Sequence, residues 1–267
     1  YLDLTPEHDK ISQLQNRAGE LEESGRSFLI DAGINPGCPS MLVRLVAERL
    51  DICRRATVAS LYRVDSLPEG GAGDIVRHTD NVGRIFREGC WRPAPATDVA
   101  RTDFGPDFGH RFSVPVASPE LESLPNRLEL TSLQMRQGSL NPLADMLLLL
   151  SGWLGVARSR RLTGWAAALL RGSLRLTPPP HGLVLQVGAA GESEGRPVTT
   201  TIRLSHADLY EATAIPVVAA AERLLRGNLA AGWAFMGHAV DPDPFVDRLA
   251  SLGMNVSADV SRVGNRS

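Results

Sequence analysis

The chain has 267 residues, of which 43% are hydrophobic and 22% are charged, and its formal net charge is −2. These values are typical of a soluble globular protein with one large domain or two modest ones, and the near-neutral charge argues against a nucleic-acid partner. The apolar run at residues 146–157 is too short to span a bilayer as a helix.

The three cysteines, Cys38, Cys53 and Cys90, are far apart and form no C-x-x-C or Cys/His pattern. The spacing therefore predicts neither a disulfide framework nor a zinc site, and we expect no metal. Reduced thiols favour a cytoplasmic protein. The first residues also lack the basic start and apolar core of a secretory signal.

The first elements predict a βαβ unit. Residues 1–5 have the pattern of a buried strand, residues 7–25 that of an amphipathic helix ending at Gly25, and residues 27–33 that of a second strand. Parallel strands are normally buried on both faces of a larger sheet. We therefore expect earlier strands of the same sheet to lie outside this chain.

The turn Asn35-Pro36-Gly37 follows the second predicted strand and opens a helix that extends to about Leu50. Ligands of α/β sheets bind at the carboxyl ends of strands, and free N–H groups at a helix start favour anionic or polar groups. Two interpretations remain open for this turn. It lines a nicotinamide and a substrate carboxylate, or it is only a tight connection between strand and helix.

The next part of the chain has a mixed pattern. Residues 55–64 predict a strand, residues 67–74 a glycine-rich link, residues 76–88 a helix, and residues 91–115 a loop-rich segment. The glycines at 70, 71 and 73 do not form a G-x-G-x-x-G dinucleotide fingerprint, since no strand leads directly into them. A flexible link is the favoured interpretation.

Later residues predict an α+β body. Strands are expected at 112–116 and 127–135, and helices over 142–172. The remaining predicted elements are a β-hairpin of residues 183–187 and 198–204 with a turn through 188–195, a helix capped by Asp208 that extends to Leu225, a helix at 244–253 and a strand at 254–260. The fold class is therefore α/β (α+β), with the tail of a parallel sheet followed by a mixed or antiparallel sheet packed with helices.

Three segments resemble saccharopine dehydrogenase-like oxidoreductases. DAGINPGCPSMLVRLVA at 31–47 is similar to the strand, turn and helix that follow the nucleotide-binding domain of that family, and YLDLTPE at the start is similar to its preceding strand. HADLYEATAIPVVAAAERLLRGNLAAG at 206–232, followed by a dPxxF helix at 242–253, resembles the late helices. The middle of the chain matches only loosely.

The resemblance implies a Rossmann-type NAD(P) domain and a second domain that supplies the substrate site and a homodimer contact. Family members transfer hydride between the nicotinamide and an imine or secondary amine of an amino-acid-like substrate. On this basis residues 1–37 are a remnant of the nucleotide-binding domain, 38–240 the substrate-binding and dimerisation domain, and 241–267 a returning helix and strand. Because the G-x-G-x-x-G segment is absent, we expect no tight dinucleotide binding by this chain alone.

Candidate site residues come from both the turn and the later segments. Asn35, Pro36 and Gly37 are candidates for cofactor binding. Tyr210 and His206 flank the start of the late helix and are candidate proton donors or acceptors, although a packed tyrosine and a helix-capping histidine are the simpler interpretations.

Arginines in the irregular middle of the chain are candidates for substrate binding. Arg77, Arg84 and Arg101 could each clamp a carboxylate, because the planar guanidinium matches two oxygens. Most surface arginines have no such role. The same residues therefore also fit an ordinary solvated surface.

The apolar run at 143–157 is followed by Arg158, Arg160 and Arg161 and by an apolar segment that starts at Trp165. Such a pattern fits a membrane surface or an apolar substrate tunnel, but a buried helix or a homodimer contact is favoured. Two functions therefore stay open. The chain is part of an oxidoreductase, or it is a non-catalytic binding or assembly module, with lipid or an apolar ligand among its candidate partners.

Overall fold

The computed structural model describes residues 1–4, 8–77, 83–95, 97–227 and 229–262. The α-helices in these ranges are α1 (His8–Asn16), α2 (Ala18–Glu23), α3 (Cys38–Glu48), α4 (Glu69–Arg77), α5 (Leu124–Arg127), α6 (Pro142–Trp153), α7 (Arg160–Leu174), α8 (Leu209–Leu225), α9 (Met236–Ala239) and α10 (Pro242–Ser251). Short 3₁₀ turns lie at Pro119–Leu121 and Val156–Arg158. Within the described ranges, the helices are all too short or too polar to cross a membrane.

The strands divide into a small parallel sheet and a large mixed sheet. They are β1 (Ser27–Ile30), β2 (Ile52–Arg63), β3 (Arg84–Arg87), β4 (Cys90–Pro93), β5 (Ala100–Asp103), β6 (His110–Val116), β7 (Ser132–Gly138), β8 (Gly182–Ser193), β9 (Arg196–His206), β10 (Gly232–Phe235) and β11 (Asn255–Arg262). The predicted mixed α/β class, with a parallel sheet and a mixed sheet packed with helices, is confirmed.

The small sheet joins the start of the chain to residues 232–235. β1 pairs in parallel with β10, so that Phe28 lies opposite Trp233. On the other side Leu2 forms a parallel bridge with Leu29, which confirms the predicted parallel pairing. The prediction of a buried first strand is wrong, because Tyr1 and Leu4 lie at the outer edge and are exposed. The predicted helix at 7–25 is two helices, α1 and α2.

The large sheet is built around β2. Its order is β11-β9-β8-β2-β7-β3-β4, with β6 pairing to β7 and β5 pairing to β6. β2 and β7 are parallel, whereas β2 and β8 are antiparallel. The β8–β9 hairpin confirms the predicted pair of strands. Helices α3, α8 and α10 pack on one face of this sheet and form the main core with it.

The hairpin turn is shorter than predicted. Strand pairing continues through residues 188–193, and the turn itself is only Glu194-Gly195, with φ of 52° and 69°. The reason is visible at Gly191, where a Cβ would lie 3.0 Å from the Ile52 carbonyl carbon and closer still to its oxygen. Glycine here permits close approach of β2 and does not mark a turn.

Residues 69–77 form helix α4, so the predicted glycine-rich link is wrong. Ala72 and Val76 are buried in a second apolar cluster with residues of α6 and α7, including Leu170 and Leu174. This burial outweighs the low helix propensity of three glycines. The predicted helix at 76–88 is also wrong, because α4 ends at Arg77 and strand β3 follows; residues 78–82 lie outside the described ranges.

Two further predictions differ from the structure. The segment at 91–115 contains β5 and parts of β4 and β6, because these short strands pair at the edge of the large sheet. The strand predicted at 127–135 begins only at Ser132, since Leu124–Arg127 is helical. The predicted helices over 142–172, the Asp208 cap, the final helix and the last strand are confirmed.

Candidate functional site

The candidate site lies where the parallel strands β2 and β7 end. Ser60 and Gln137 are direct partners in this pair, and the Ser60 hydroxyl donates a hydrogen bond of 2.6 Å to Gln137 Oε1. Side chains alternate along a strand, so Ser60 and Tyr62 share the face of Ala56 and Val58, which lies against the main core. Polar groups therefore interrupt an otherwise apolar face at the carboxyl ends of both strands.

Asn35 joins these groups from the turn after β1. Its Nδ2 donates to Ser60 Oγ at 3.2 Å, and its side chain also interacts with Tyr62. We refer to Asn35, Ser60, Tyr62 and Gln137 as the amide–hydroxyl cluster. Ser60 is buried, and the other three are half-buried. The cluster offers donors and acceptors without a formal charge, which suits a neutral polar ligand group.

Tyr62 is the member of the cluster that can carry a transferable proton. Burial raises the pKa of Tyr62 to about 12, and interactions with Asn35 and Ser60 partly oppose this effect. The phenol is therefore neutral at physiological pH and keeps its hydroxyl hydrogen.

The turn that positions Asn35 has a tight backbone. The Asn35–Pro36 peptide bond is cis, and Gly37 has a φ of 123°. A Cβ on Gly37 would lie 2.6 Å from Gly33 O and closer still to Asp31 O. Only glycine fits at this position. The backbone conformation of Gly37 sets the direction in which α3 begins.

The N-terminus of α3 is already occupied by a carboxylate of the chain itself. Glu120 Oε1 accepts the Gly37 N–H at 2.7 Å, while Oε2 accepts the Ser40 N–H at 3.1 Å and the Ser40 hydroxyl at 2.5 Å. A helix start that binds an internal anion offers fewer N–H groups to an external one. The Gly37 N–H predicted for cofactor binding is thus engaged with Glu120.

Glu120 is completely buried, and burial raises its pKa, an effect that the hydrogen bonds from Ser40 and Gly37 oppose. Its carbonyl oxygen accepts a hydrogen bond of 2.7 Å from His238 Nε2. Burial lowers the pKa of His238 to about 4, so the ring is neutral and donates through Nε2. These contacts connect α3 and α9 to the segment at 119–121.

Asp31 is a second buried carboxyl group next to the turn. It follows β1 directly and has a φ of 53°. Burial, with a smaller effect of the nearby Glu120 carboxylate, raises the pKa of Asp31 from 3.8 to about 7. A carboxyl group that titrates near neutral pH at the carboxyl end of a parallel strand is a candidate functional group.

The titration of Asp31 predicts a pH-dependent stability. The folded chain keeps the Asp31 proton to higher pH than the unfolded chain, so the free energy of unfolding should fall between pH 3.8 and about pH 7 and then level off. The difference in pKa corresponds to roughly 4 kcal/mol. Asp31→Asn, which tolerates the positive φ, should remove this contribution.

The measurement is urea denaturation of both proteins across this pH range. We expect Asp31→Asn to be the more stable protein above pH 7 and to show a flatter profile below it. Parallel profiles for the two proteins would contradict the assignment.

Tyr210 and His206 both lie at the start of α8. Tyr210 is 54% exposed, so the packed-core alternative is wrong. His206 Nε2 is 3.5 Å from Glu211 Oε2, and Asp208 N donates to its Nδ1 at 3.0 Å, a contact within the helix cap. A Cβ on Gly33 would lie 3.7 Å from Thr213, one turn after Tyr210, so α8 begins beside the turn of Asn35.

The three candidate arginines are dispersed over the surface. Arg77 pairs with Asp74, and Arg84 pairs with Glu122 while its guanidinium lies 5.8 Å from the ring centroid of Trp91. Arg101 is exposed on β5. Within the described ranges, none of the three forms a hydrogen bond to the amide–hydroxyl cluster.

Sequence reasoning did not identify Ser60, Tyr62, Gln137 or Glu120. A signal for two of them is present, because Ser60 and Tyr62 fall in the apolar phase of the alternating strand that contains Ala56 and Val58. Glu120 has no comparable signal, since it lies 80 residues from the Ser40 that it contacts.

A separate groove of about 680 Å³ lies on the opposite face of the large sheet. Its lining includes Arg55, Thr57, Gln134, Gly188 and Thr201. Residue 57 is on the other side of β2 from Ser60 and Tyr62, so the groove is not continuous with the cluster. The groove is widely open to solvent, and we favour the half-buried cluster as the chemical site.

No model of a known protein family matches the chain, and no curated protein matches it. The resemblance to saccharopine dehydrogenase-like oxidoreductases therefore stays a prediction from the segments at both ends. Among the described residues, no three His, Cys, Asp or Glu side chains come together as a metal site.

Proposed function

We propose that this chain is the substrate-binding portion of an NAD(P)-dependent oxidoreductase that acts on a carbon–nitrogen bond, with a saccharopine dehydrogenase-like fold. The observation that carries the proposal is the amide–hydroxyl cluster at the carboxyl ends of β2 and β7, directly beside the turn after β1. This is the edge at which α/β sheets place their ligands.

The chemistry of the cluster fits a nicotinamide and an imine. The side-chain amides of Asn35 and Gln137 can each donate to and accept from a carboxamide, which is a neutral group of the same kind. When bound, the cofactor would supply hydride to the imine carbon. Tyr62, neutral because of its raised pKa, would donate its phenolic hydrogen to the imine nitrogen, and Asn35 and Ser60 would orient the phenol.

The contacts of Glu120 limit which part of the dinucleotide this chain could bind. Because Glu120 occupies the start of α3, that helix does not present its first N–H groups to a pyrophosphate. We therefore propose that the chain contacts the nicotinamide end of NAD or NADP and does not bind the dinucleotide tightly by itself.

Nuclear magnetic resonance can test this with fragments of the cofactor. Reduced nicotinamide mononucleotide should bind weakly and shift the side-chain amide signals of Asn35 and Gln137, whereas AMP should not. Tyr62→Phe removes the hydroxyl that would face the imine nitrogen, so we expect it to weaken the binding of a secondary-amine adduct of an amino acid, added with reduced nicotinamide mononucleotide, by about fivefold to tenfold.

Tyr210→Phe is the matched control, because it removes the same hydroxyl from the other candidate tyrosine. An unchanged affinity in Tyr210→Phe together with a loss in Tyr62→Phe supports Tyr62 as the donor. The reverse result would assign that role to Tyr210. Absence of any shift at Asn35 and Gln137 would overturn the proposal.

The second candidate function is a non-catalytic binding or assembly module with the same fold. It is favoured by the large apolar surface of α6 and α7, which has no role in the proposed reaction. The predicted homodimer remains part of either proposal, and analytical ultracentrifugation measures it directly.

A further inference from the structure

Helices α6 and α7 expose an unusually large apolar surface. Trp153 is 83% exposed, Trp165 74% and Leu149 73%. The ten strongly exposed large apolar side chains of this region, which we call the α6–α7 surface, are Leu143, Met146, Leu149, Leu150, Trp153, Leu154, Leu162, Trp165, Leu169 and Leu176. The interpretation of this segment as a buried helix is therefore wrong for these residues.

The exposure of these apolar side chains does not result from poor packing of α7 on the protein. α7 buries Ala167, Leu170 and Leu174 in the second apolar cluster, so the side of this helix that faces the protein is packed. On its outer face the residues at 162, 165 and 169 recur at helical spacing. α6 is attached mainly through Ala144 and Ser151 and is apolar almost all round.

The charges carried by the segment that forms this surface are mostly positive. Residues 142–177 contain five arginines and a single acidic residue, Asp145. Asp145 is half-buried, accepts the Leu140 N–H at 3.0 Å and accepts a hydrogen bond from Ser139, so its carboxylate is directed to the protein. None of the arginines forms an ion pair with a described residue; they are Arg158, Arg160, Arg161, Arg171 and Arg175.

We propose that the α6–α7 surface binds to the face of an anionic lipid membrane. Apolar side chains and tryptophans would enter the boundary between headgroups and acyl chains, while the arginines contact lipid phosphates. Both helices lie in the plane of the membrane, since they are too short to cross it.

The charge pattern distinguishes a membrane from a second copy of this chain. In a two-fold dimer the same patch meets itself, so the arginines of both copies would come together without acidic partners. Like charges at an interface oppose association. An anionic lipid surface has the opposite sign and attracts each arginine, with a gain of about fivefold in partitioning per residue.

The experiment is flotation of the 267-residue protein with phospholipid vesicles. Binding is expected to vesicles of phosphatidylcholine mixed with phosphatidylglycerol, to be much weaker with phosphatidylcholine alone, and to fall with added salt. Tryptophan emission should shift to the blue on binding, because Trp153 and Trp165 leave water.

Two sets of variants separate the apolar and charged contributions. Trp153→Ser with Trp165→Ser, and Arg158→Gln with Arg160→Gln and Arg161→Gln, should each weaken binding by about tenfold or more. All five side chains are exposed, so circular dichroism should show an unchanged fold. The matched control, Leu225→Ser with Arg196→Gln, changes exposed residues elsewhere and should bind normally.

Three results would overturn the proposal. They are equal binding to neutral and anionic vesicles, normal binding by both variant sets, and a dimer that the tryptophan substitutions dissociate in the absence of vesicle binding. The last result would assign the surface to a second copy of the chain.

Discussion

Replacing Glu120 with alanine should lower the free energy of unfolding by about 3–5 kcal/mol. The carboxylate is fully buried and accepts hydrogen bonds from the Gly37 N–H, the Ser40 N–H and the Ser40 hydroxyl. The Glu120→Ala substitution would leave these three hydrogen-bond donors without the carboxylate as acceptor, at a position that water does not reach. Removal of one partner of a buried polar contact costs more than the net value of the contact, because the remaining groups stay desolvated.

Urea denaturation followed by circular dichroism measures this effect. Glu122→Ala is the matched control, since Glu122 is two residues away, exposed and paired with Arg84 at the surface, where ion pairs contribute about 1 kcal/mol or less. The free energy of unfolding of Glu120→Gln should lie between those of the original protein and Glu120→Ala. The glutamine amide keeps one oxygen as an acceptor, but its NH₂ group faces hydrogen-bond donors that it cannot satisfy. Equal stability of the two alanine variants would contradict the role of Glu120.

Gly37→Ala should destabilise the protein by about 3 kcal/mol or more. At a φ of 123° a side chain strains the backbone, and the new Cβ would collide with the backbone oxygens of Asp31 and Gly33. The turn would have to open to accept it. That movement would also displace Asn35 and the first turn of α3.

Gly172→Ala is the control that tests whether the destabilisation by Gly37→Ala depends on the tight turn. Gly172 lies within α7, and a methyl group added there would have nothing within 4 Å, so alanine should be neutral or stabilise by up to about 1 kcal/mol. Thermal and urea unfolding of both variants give the comparison. A loss of similar size at both glycines would show that the tight turn is not the cause.

Local patterns in the sequence were sufficient for much of the fold. The β-branched residues at 198–202 predict a strand, and Asp208 predicts the start of α8 because its side chain accepts the N–H groups of Tyr210 and Glu211. Both signals act within a few residues. They do not depend on what packs around them.

The failures occur where distant packing decides the structure. The glycines of α4 predict a link, but burial of Ala72 and Val76 against α7 makes the segment helical. Gly191 predicts a turn, whereas it is a point of contact with β2. In each case the partner is far away along the chain, beyond the reach of a local pattern.

The candidate site was predictable only in part. Asn35 and its turn could be found from the order of strand, turn and helix. Ser60 and Gln137 are 77 residues apart, and their contact depends on the parallel register of β2 and β7. That register is a property of the assembled sheet, which explains why the turn was found and its polar partners were not.

The pairing of β1 with β10 has a consequence for biosynthesis. Residues 27–30 pair with residues 232–235, so this partner of β1 leaves the ribosome only after the whole sequence between them has been translated. Until then one edge of β1 has no strand beside it, and open strand edges are sites of mispairing between chains. Dividing the chain before Gly232 would make this exposure permanent and would also remove β11 from the edge of the large sheet, so truncated versions should aggregate.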